Sequence, residues 1–219
     1  MHAGGALAGW QVGSLEEARR AVGAGCDLLV VQGAEAGGHV RGTMALLPLL
    51  ASVREAVTVP VLAAGGSPTP AGWRRRWPPA RPACGWDPLS GHRRVGRPPE
   101  YVAALLAADG EATVLTQAFG VGWPDAPHRV LRSVLAAAQA FQGEVVGTHT
   151  VGARSRPLAR CAAQTPSREV TGTVAAMALY AGQGVGQVTR VVPAGQVVTE
   201  LAQGAERLLR RWSGATTPR

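Results

Sequence analysis

An α/β fold built from parallel βα units is predicted by three observations. Two short runs rich in Val, Leu and Ala, Leu28–Gln32 and Val57–Ala64, are too short for helices and suit buried parallel strands. Each runs into glycine: Gly33 and then Gly37-Gly38 after the first, Gly65-Gly66 after the second. The segment between them has helical patterning. Strands that end in bare backbone, with a helix between, are how α/β proteins build a small-molecule site beyond the carboxyl ends of their strands.

In chain order, Leu7–Val12 is a weak strand candidate. Ser14 caps a helix over about Leu15–Ala24, with Glu17 three residues on as its capping-box partner and Gly23 and Gly25 as its stop. Leu15, Ala18 and Val22 share one face of that helix. After the strand Leu28–Gln32 and the loop Gly37–Gly42, Met44–Ala56 reads as a helix in which Pro48 sets off the first turns as a separate short piece. The strand Val57–Ala64 completes a strand–helix–strand–helix–strand rhythm.

Ser67–Pro99 breaks that rhythm. It holds 8 of the 16 prolines, 3 of the 6 tryptophans and 7 of the 22 Lys and Arg residues against one acid, Asp87, and so supplies +6 of the formal charge of +8. Arg74-Arg75-Arg76 followed by Trp77-Pro78-Pro79 has neither helical nor strand periodicity. The segment reads as a basic irregular insert, and the rest of the chain is nearly balanced in charge.

Beyond it, Tyr101–Ala107 reads as a short helix, Glu111–Thr116 as a strand, and Phe119–His128 as a loop rich in glycine and proline. Arg129–Gly143 reads as a helix with Val130, Val134, Ala137 and Phe141 inward, Thr148–Pro166 as polar and irregular, and Glu169–Leu179 as a helix. Ala194 to about Trp212 is a final helix with Val197, Leu201, Ala205 and Leu208 on one face.

At 219 residues the chain can bury a core as a single domain. It has no run of eighteen apolar residues and no apolar leader after Met1, so no membrane partner is expected. Cys26, Cys84 and Cys161 form neither a disulfide framework nor a zinc pattern, which suits a reducing cytoplasm and gives no metal site. His128 and His149 have no identifiable partners in the sequence.

Several residues carry two readings each. Gly65-Gly66 either lets a phosphate approach backbone N–H groups or makes an ordinary βα turn. His39, beside two glycines, is a general base with room for substrate or a loop histidine on the surface. Glu35 orients His39, binds a cofactor hydroxyl, or caps a turn; Gln32 reaches a ligand or bonds a loop. Tyr180 and Gln183 close over a ligand or form a helix end.

The stretches Gln32–His39, Val59–Gly66, Thr116–Val130 and Met177–Gln183 resemble the nitronate monooxygenase family, formerly called 2-nitropropane dioxygenases. In looser form the same motifs are shared with the flavin-dependent enoyl reductases of fatty-acid synthesis. The resemblance covers about residues 6–66 and 100–212. It implies a (β/α)8 TIM barrel of FMN-dependent oxidoreductase type, with nitronates or nitroalkanes and dioxygen as substrates and carbonyl compounds and nitrite as products. On the family pattern His39 is the catalytic histidine, taking the proton alpha to the nitro group or holding the nitronate. The cofactor-binding positions implied are Gln32, facing the isoalloxazine ring, with Gly33, Gly37 and Gly38 on the flavin side. Gly65 and Gly66 form the first half of a phosphate cradle, and Tyr180 and Gln183 belong to a loop approaching the flavin.

The chain departs from that pattern in two ways. An eight-stranded barrel takes about 250 residues, and here the early strands are missing before Ala6. The expectation is a partial barrel in one incomplete domain, residues 1–212, with a disordered tail at 213–219 and self-association through exposed barrel edges. Residues 67–99 also replace the helix, strand and second phosphate loop that the family has there. Codon families for Ser67–Trp86 and Asp87–Pro98, read in shifted frames, can spell an alanine-rich helix leading into a strand and then a Thr-Arg-Phe loop, which points to a frame disturbance. The competing readings are an inactive fragment of the family, an enoyl-reductase relative, and a non-enzymatic basic protein. Only Arg74–Arg97 argues for the last, and nucleic acid is not the expected partner.

Overall fold

Parallel pairing between Leu28–Gln32 and its two neighbours organises the first part of the molecule. The structure, a computed structural model, describes residues 2–66, 81–82 and 96–214. Most of the basic segment, including Cys84 and most of both stretches of the frame-disturbance reading, lies outside the described residues, as does the tail beyond Gly214. The chain divides into two units, one of residues 1–35, 41–85 and 194–219, the other of residues 36–40 and 86–193.

In the first unit, β1 (Gly9–Val12), β2 (Leu28–Gln32), β4 (Val61–Ala64) and β5 (Arg81–Pro82) form a parallel sheet in the order β1-β2-β4-β5. Strand β4 is shorter than its apolar run because Pro60 has no N–H to donate; its carbonyl instead accepts from Leu29 N–H at 2.9 Å. Leu29 and Val31, two apart on β2, are fully buried. They belong to one core with Ala18 and Ala21 of α1 (Leu15–Gly23) and Leu46, Leu49, Leu50 and Val53 of α2 (Leu46–Ala56). A leucine as buried as Leu29 or Leu49 contributes roughly 1.5–3 kcal/mol.

Local chemistry sets both helix starts. The Ser14 side chain accepts from Glu17 N–H at 3.2 Å, but the Glu17 carboxylate reaches back to Gly13 N–H at 2.8 Å, one residue before the usual box. Glu17 also pairs with the Arg41 guanidinium at 3.0 Å. Pro48 does not split α2; it is the third residue of one continuous helix, in the first turn where no intrahelical N–H partner is lost.

The loops after β1 and after residue 40 touch backbone to backbone. A Cβ on Gly13 would lie 2.7 Å from Arg41 C and 2.8 Å from Gly42 Cα, and one on Gly42 would lie 2.9 Å from Gly13 Cα. Only glycine at both positions permits this approach.

The second unit is built from antiparallel pairing. The strands β3 (Gly38–His39), β7 (His128–Leu131) and β6 (Thr113–Thr116) form one sheet in that order. The strands β10 (Val170–Gly172), β8 (Val145–Val151) and β9 (Arg154–Ala159) form another. Their core includes Tyr101 and Leu105 of α3 (Pro99–Ala107), Val134 and Ala138 of α4 (Arg132–Ala140), and Phe119, Val130 and Leu179. The last helix, α5 (Ala194–Gly214), belongs to the first unit and buries Val197, Leu201 and Ala205.

As expected of a partial barrel, the described strands do not close: they make three separate sheets, and Pro82 in β5 has no N–H with which to carry the parallel ladder onward. Three expectations are corrected here. Residues 129–131 are strand rather than helix: Val130 and Leu131 are buried and paired to β6. Residues 169–179 form β10 and a 3-10 turn, Val174–Ala176. Val170, Thr171, Thr173 and Val174 are stiff at χ1 and fit a strand better, and Gly172 has φ 124°, closed to a helical residue. Finally, the polar stretch 148–166 contains most of a hairpin, β8–β9, turning through Gly152 at φ 59° and Ala153.

Candidate functional site

The sequence-predicted residues fall into two groups, one in each unit. In the first, Gln32 and Ala64 are register partners at the carboxyl ends of adjacent parallel strands, and Gly33 N–H donates to Ala64 O at 3.0 Å. Gly33, Gly65 and Gly66 therefore follow the carboxyl ends of the two inner strands of this sheet. Gly65 and Gly66 have φ 110° and 63°, open to glycine and strained for other residues. A Cβ on Gly33 would lie 2.6 Å from Leu46 N and from Leu46 Cβ, so the strand end has no room for a side chain.

Glu35 caps α2. Both its carboxylate oxygens accept from Leu46 N–H at 3.0 Å, placing a negative charge at the positive end of that helix. Gln32 bonds a loop: its buried Oε1 accepts from Arg41 N–H at 2.9 Å. Gly65 and Gly66 present backbone without side chains just beyond the end of β4. A Cβ on Gly66 would lie 3.1 Å from the Glu35 methylene and 3.8 Å from its Oε1, so the carboxylate that caps α2 also borders this glycine.

In the second unit, His39 is directly opposite His128 in the β3–β7 register, which places both rings on one face. Their centroids are 5.5 Å apart. The Tyr180 ring lies 5.4 Å from His39 and 5.8 Å from His128. Trp123, on the loop before β7, stacks on the His39 imidazole with centroids 4.1 Å apart and planes 23° from parallel. His39 is half-buried and its Nε2 is closed off from solvent. Gly38 adjoins it at φ 74° with open space where a Cβ would be.

Each ring is fixed differently. His128 is fully buried; its Nδ1–H donates to Ala126 O at 2.8 Å and its Nε2 accepts from Phe119 N–H at 3.2 Å, which defines a neutral tautomer. Burial lowers the His128 pKa, and the bond to Ala126 opposes that shift only in part. Burial also lowers the His39 pKa, and His128 adds to the effect because two charges so close repel. Tyr180 donates its hydroxyl to Ala163 O at 2.6 Å, and burial pushes its pKa up to about 12. The Tyr180 carbonyl accepts from Tyr101 Oη at 2.8 Å. Gln183 is exposed at the start of the 3-10 segment Gln183–Gln187, packed against Gly110.

Sequence reasoning missed Trp123 and His128. Both lie in or beside a glycine- and proline-rich loop, and only the pairing of the two-residue strand β3 with β7 brings them to His39. The available signal was the run His128–Leu131, whose β-branched and aliphatic end suits a strand. Among the described residues no group of acidic, histidine and cysteine side chains can hold a metal ion. No described helix is long and apolar enough to cross a membrane.

Comparisons with known proteins agree with the first unit's motifs. Residues 1–72 match the family model for nitronate monooxygenase. Over 55 residues the chain is 53% identical to a Mycobacterium tuberculosis protein carrying a provisional monooxygenase name. Over the same length it is 46% identical to a 5-hydroxy-7a-methyl-1-oxo-octahydro-indene-4-carboxyl-CoA dehydrogenase of Rhodococcus jostii. These matches span 25% of this chain and only 14% and 15% of the relatives. Among solved structures, nitroalkane oxidase from Streptomyces ansochromogenes aligns with TM-score 0.71 and 29% identity, covering 95% of this chain and 60% of that one. FabK from Thermotoga maritima aligns with TM-score 0.71 and 20% identity, covering 96% and 64%. The fold is thus an α/β fold related to both, and the chain spans less than two thirds of either.

Proposed function

We propose that this chain is an FMN-dependent oxidoreductase, with nitronates or nitroalkanes and dioxygen as its substrates. The observation that carries the reading is the half-buried His39 imidazole packed against the rings of Trp123, His128 and Tyr180. Its lowered pKa keeps the imidazole neutral at neutral pH, as a group must be to accept a proton from carbon. The match of residues 1–72 to the nitronate monooxygenase family supports it. Gly65 and Gly66 would hold the flavin phosphate through backbone N–H groups, and the family resemblance gives Gln32, Gly33, Gly37, Gly38, Tyr180 and Gln183 as further cofactor-binding positions. When bound, the flavin supplies the electron transfer. His39 takes the substrate's acidic proton on its imidazole. Burial first of all keeps His39 in its proton-accepting form, and a charge on His128 would disfavour one on His39 further.

The test is flavin retention and turnover by the full chain. Purified or reconstituted protein should be yellow, and His39→Asn should keep the flavin while nitroalkane oxidation falls by about 10² to 10⁴. A pre-formed nitronate, already deprotonated, should be much less affected. Equal losses on both substrates would remove the general-base role, and a colourless chain that cannot be reconstituted would overturn the flavin reading in favour of an inactive fragment. The likeness to FabK favours a second reading, a flavin-dependent enoyl reductase. Reduction of an enoyl thioester by nicotinamide cofactor, without nitronate turnover, would select it.

A further inference from the structure

A cleft of about 460 Å³ in the second unit shares Trp123 with the His39 cluster but is lined by none of the residues given a catalytic or cofactor role above. The β9 side of the β8–β9 hairpin forms one wall and the segment around Trp123 the other, and the size is within the usual range for small-molecule sites. Its floor is built by backbone pairing: Val121 N–H donates to Cys161 O at 3.0 Å, and Ala163 N–H donates to Val121 O at 2.9 Å. Trp123, Leu158, Ala159 and Ala162 give it an apolar body, and Arg156 and Gln164 bring polar groups to its lining.

The guanidinium is held in place without being neutralised. Its Nε–H donates to His149 Nδ1 at 3.3 Å, and its Nη2 bonds Gln164 Oε1. Gln164 Nε2 lies 3.1 Å from the same His149 nitrogen, which fixes all three side chains relative to one another. Among the described residues no carboxylate lies within ion-pair distance of Arg156, and its Nη1 donates to none of them. An oriented fork bearing one positive charge, at an apolar cleft, matches a ligand with one planar anionic head and a hydrocarbon body.

We propose that this cleft binds an amphipathic monocarboxylate, its head on Arg156 and its aliphatic chain against Trp123, Leu158 and Ala162. The site stands on its own geometry and its test needs no flavin. The probe is octanoate, titrated calorimetrically into the full chain, with octanol and octylammonium as the neutral and cationic counterparts. Octanoate should bind at one site, octanol at least tenfold more weakly, and octylammonium not measurably. Arg156→Gln should weaken octanoate about tenfold to a hundredfold, the value of one charge-assisted pair. Arg154→Gln, which removes an exposed charge two residues away on the same strand, should leave binding unchanged. Ala162→Leu, which fills the apolar end and touches no charge, should weaken octanoate and octanol alike. It also tests the cleft separately if Arg156→Gln proves unfolded by circular dichroism. No saturable octanoate binding, equal binding of octylammonium, equal loss in the Arg154 variant, or no loss in the Ala162 variant would each overturn the proposal.

Discussion

Replacing His128 by Phe isolates what that buried imidazole does. Phe fills nearly the same space, so the cavity term is small, but both ring hydrogen bonds disappear. Phe119 N–H, buried in the core, loses its acceptor, and Ala126 O loses the Nδ1–H donor at 2.8 Å. Two net bonds at about 0.5–1.5 kcal/mol each, with one donor left buried and unsatisfied, give a destabilisation of about 2–4 kcal/mol. Urea denaturation at neutral pH, followed by far-ultraviolet circular dichroism, measures it. The acid side supplies a second reading. His128 and His39 both have folded-state pKa values below the ordinary 6.5, so between the two values the unfolded chain binds more protons and stability rises with pH. Their contribution is therefore complete above 6.5 and is lost as pH falls through the lowered folded values. One histidine fewer should flatten the acid limb by up to about 1.4 kcal/mol per pH unit. A loss below about 0.5 kcal/mol, or an unchanged acid slope, would refute the assignment of His128 as a neutral, doubly bonded core residue.

Three further outcomes are expected. Gly33→Ala should cost about 1–3 kcal/mol in thermal or chemical unfolding, because the new methyl meets Leu46 backbone that cannot swing aside. Ser14→Ala should cost about 1 kcal/mol and Ser14→Asp should restore it, since either oxygen caps the helix where Ala cannot. Tyr180, as an acid whose pKa is raised from 10.0 to about 12, should contribute stability that is whole below pH 10 and lost as pH rises toward 12. Phenolate absorbance should then show a transition near 12 that Tyr180→Phe removes, and titration of that residue near 10 would contradict its burial.

The sequence announced what is local and withheld what is not. Leu28–Gln32 and the second half of the Val57–Ala64 run were legible because a short continuous apolar run ending in glycine suits a buried parallel strand. Ser14 and Glu17 gave the first helix start within one residue. The second unit was harder because its strands are short or polar: His128–Leu131 merges into the helical pattern after it, and β9 is mostly exposed. Helical spacing in 169–179 was a false lead, overridden by β-branched residues pairing with β8. The site was half legible. The glycines and His39 stand in a recognisable order, but Trp123 and His128 reach His39 only through a two-residue strand, and no window of sequence contains that pairing.

The meeting of Gly13 and Gly42 has a consequence for how this chain can vary. Most neighbouring pairs in a protein can be exchanged in size, one growing as the other shrinks, because side-chain volume is shared between them. Here the volume in contact is main chain on both sides. No reduction at one position makes room for a methyl at the other, so the two sites are each intolerant and yet show no compensating partner. A library randomising both codons should return the glycine pair alone among folded clones. A statistical search for correlated substitutions would overlook such a contact, because two positions that each admit one residue leave no covariation to detect.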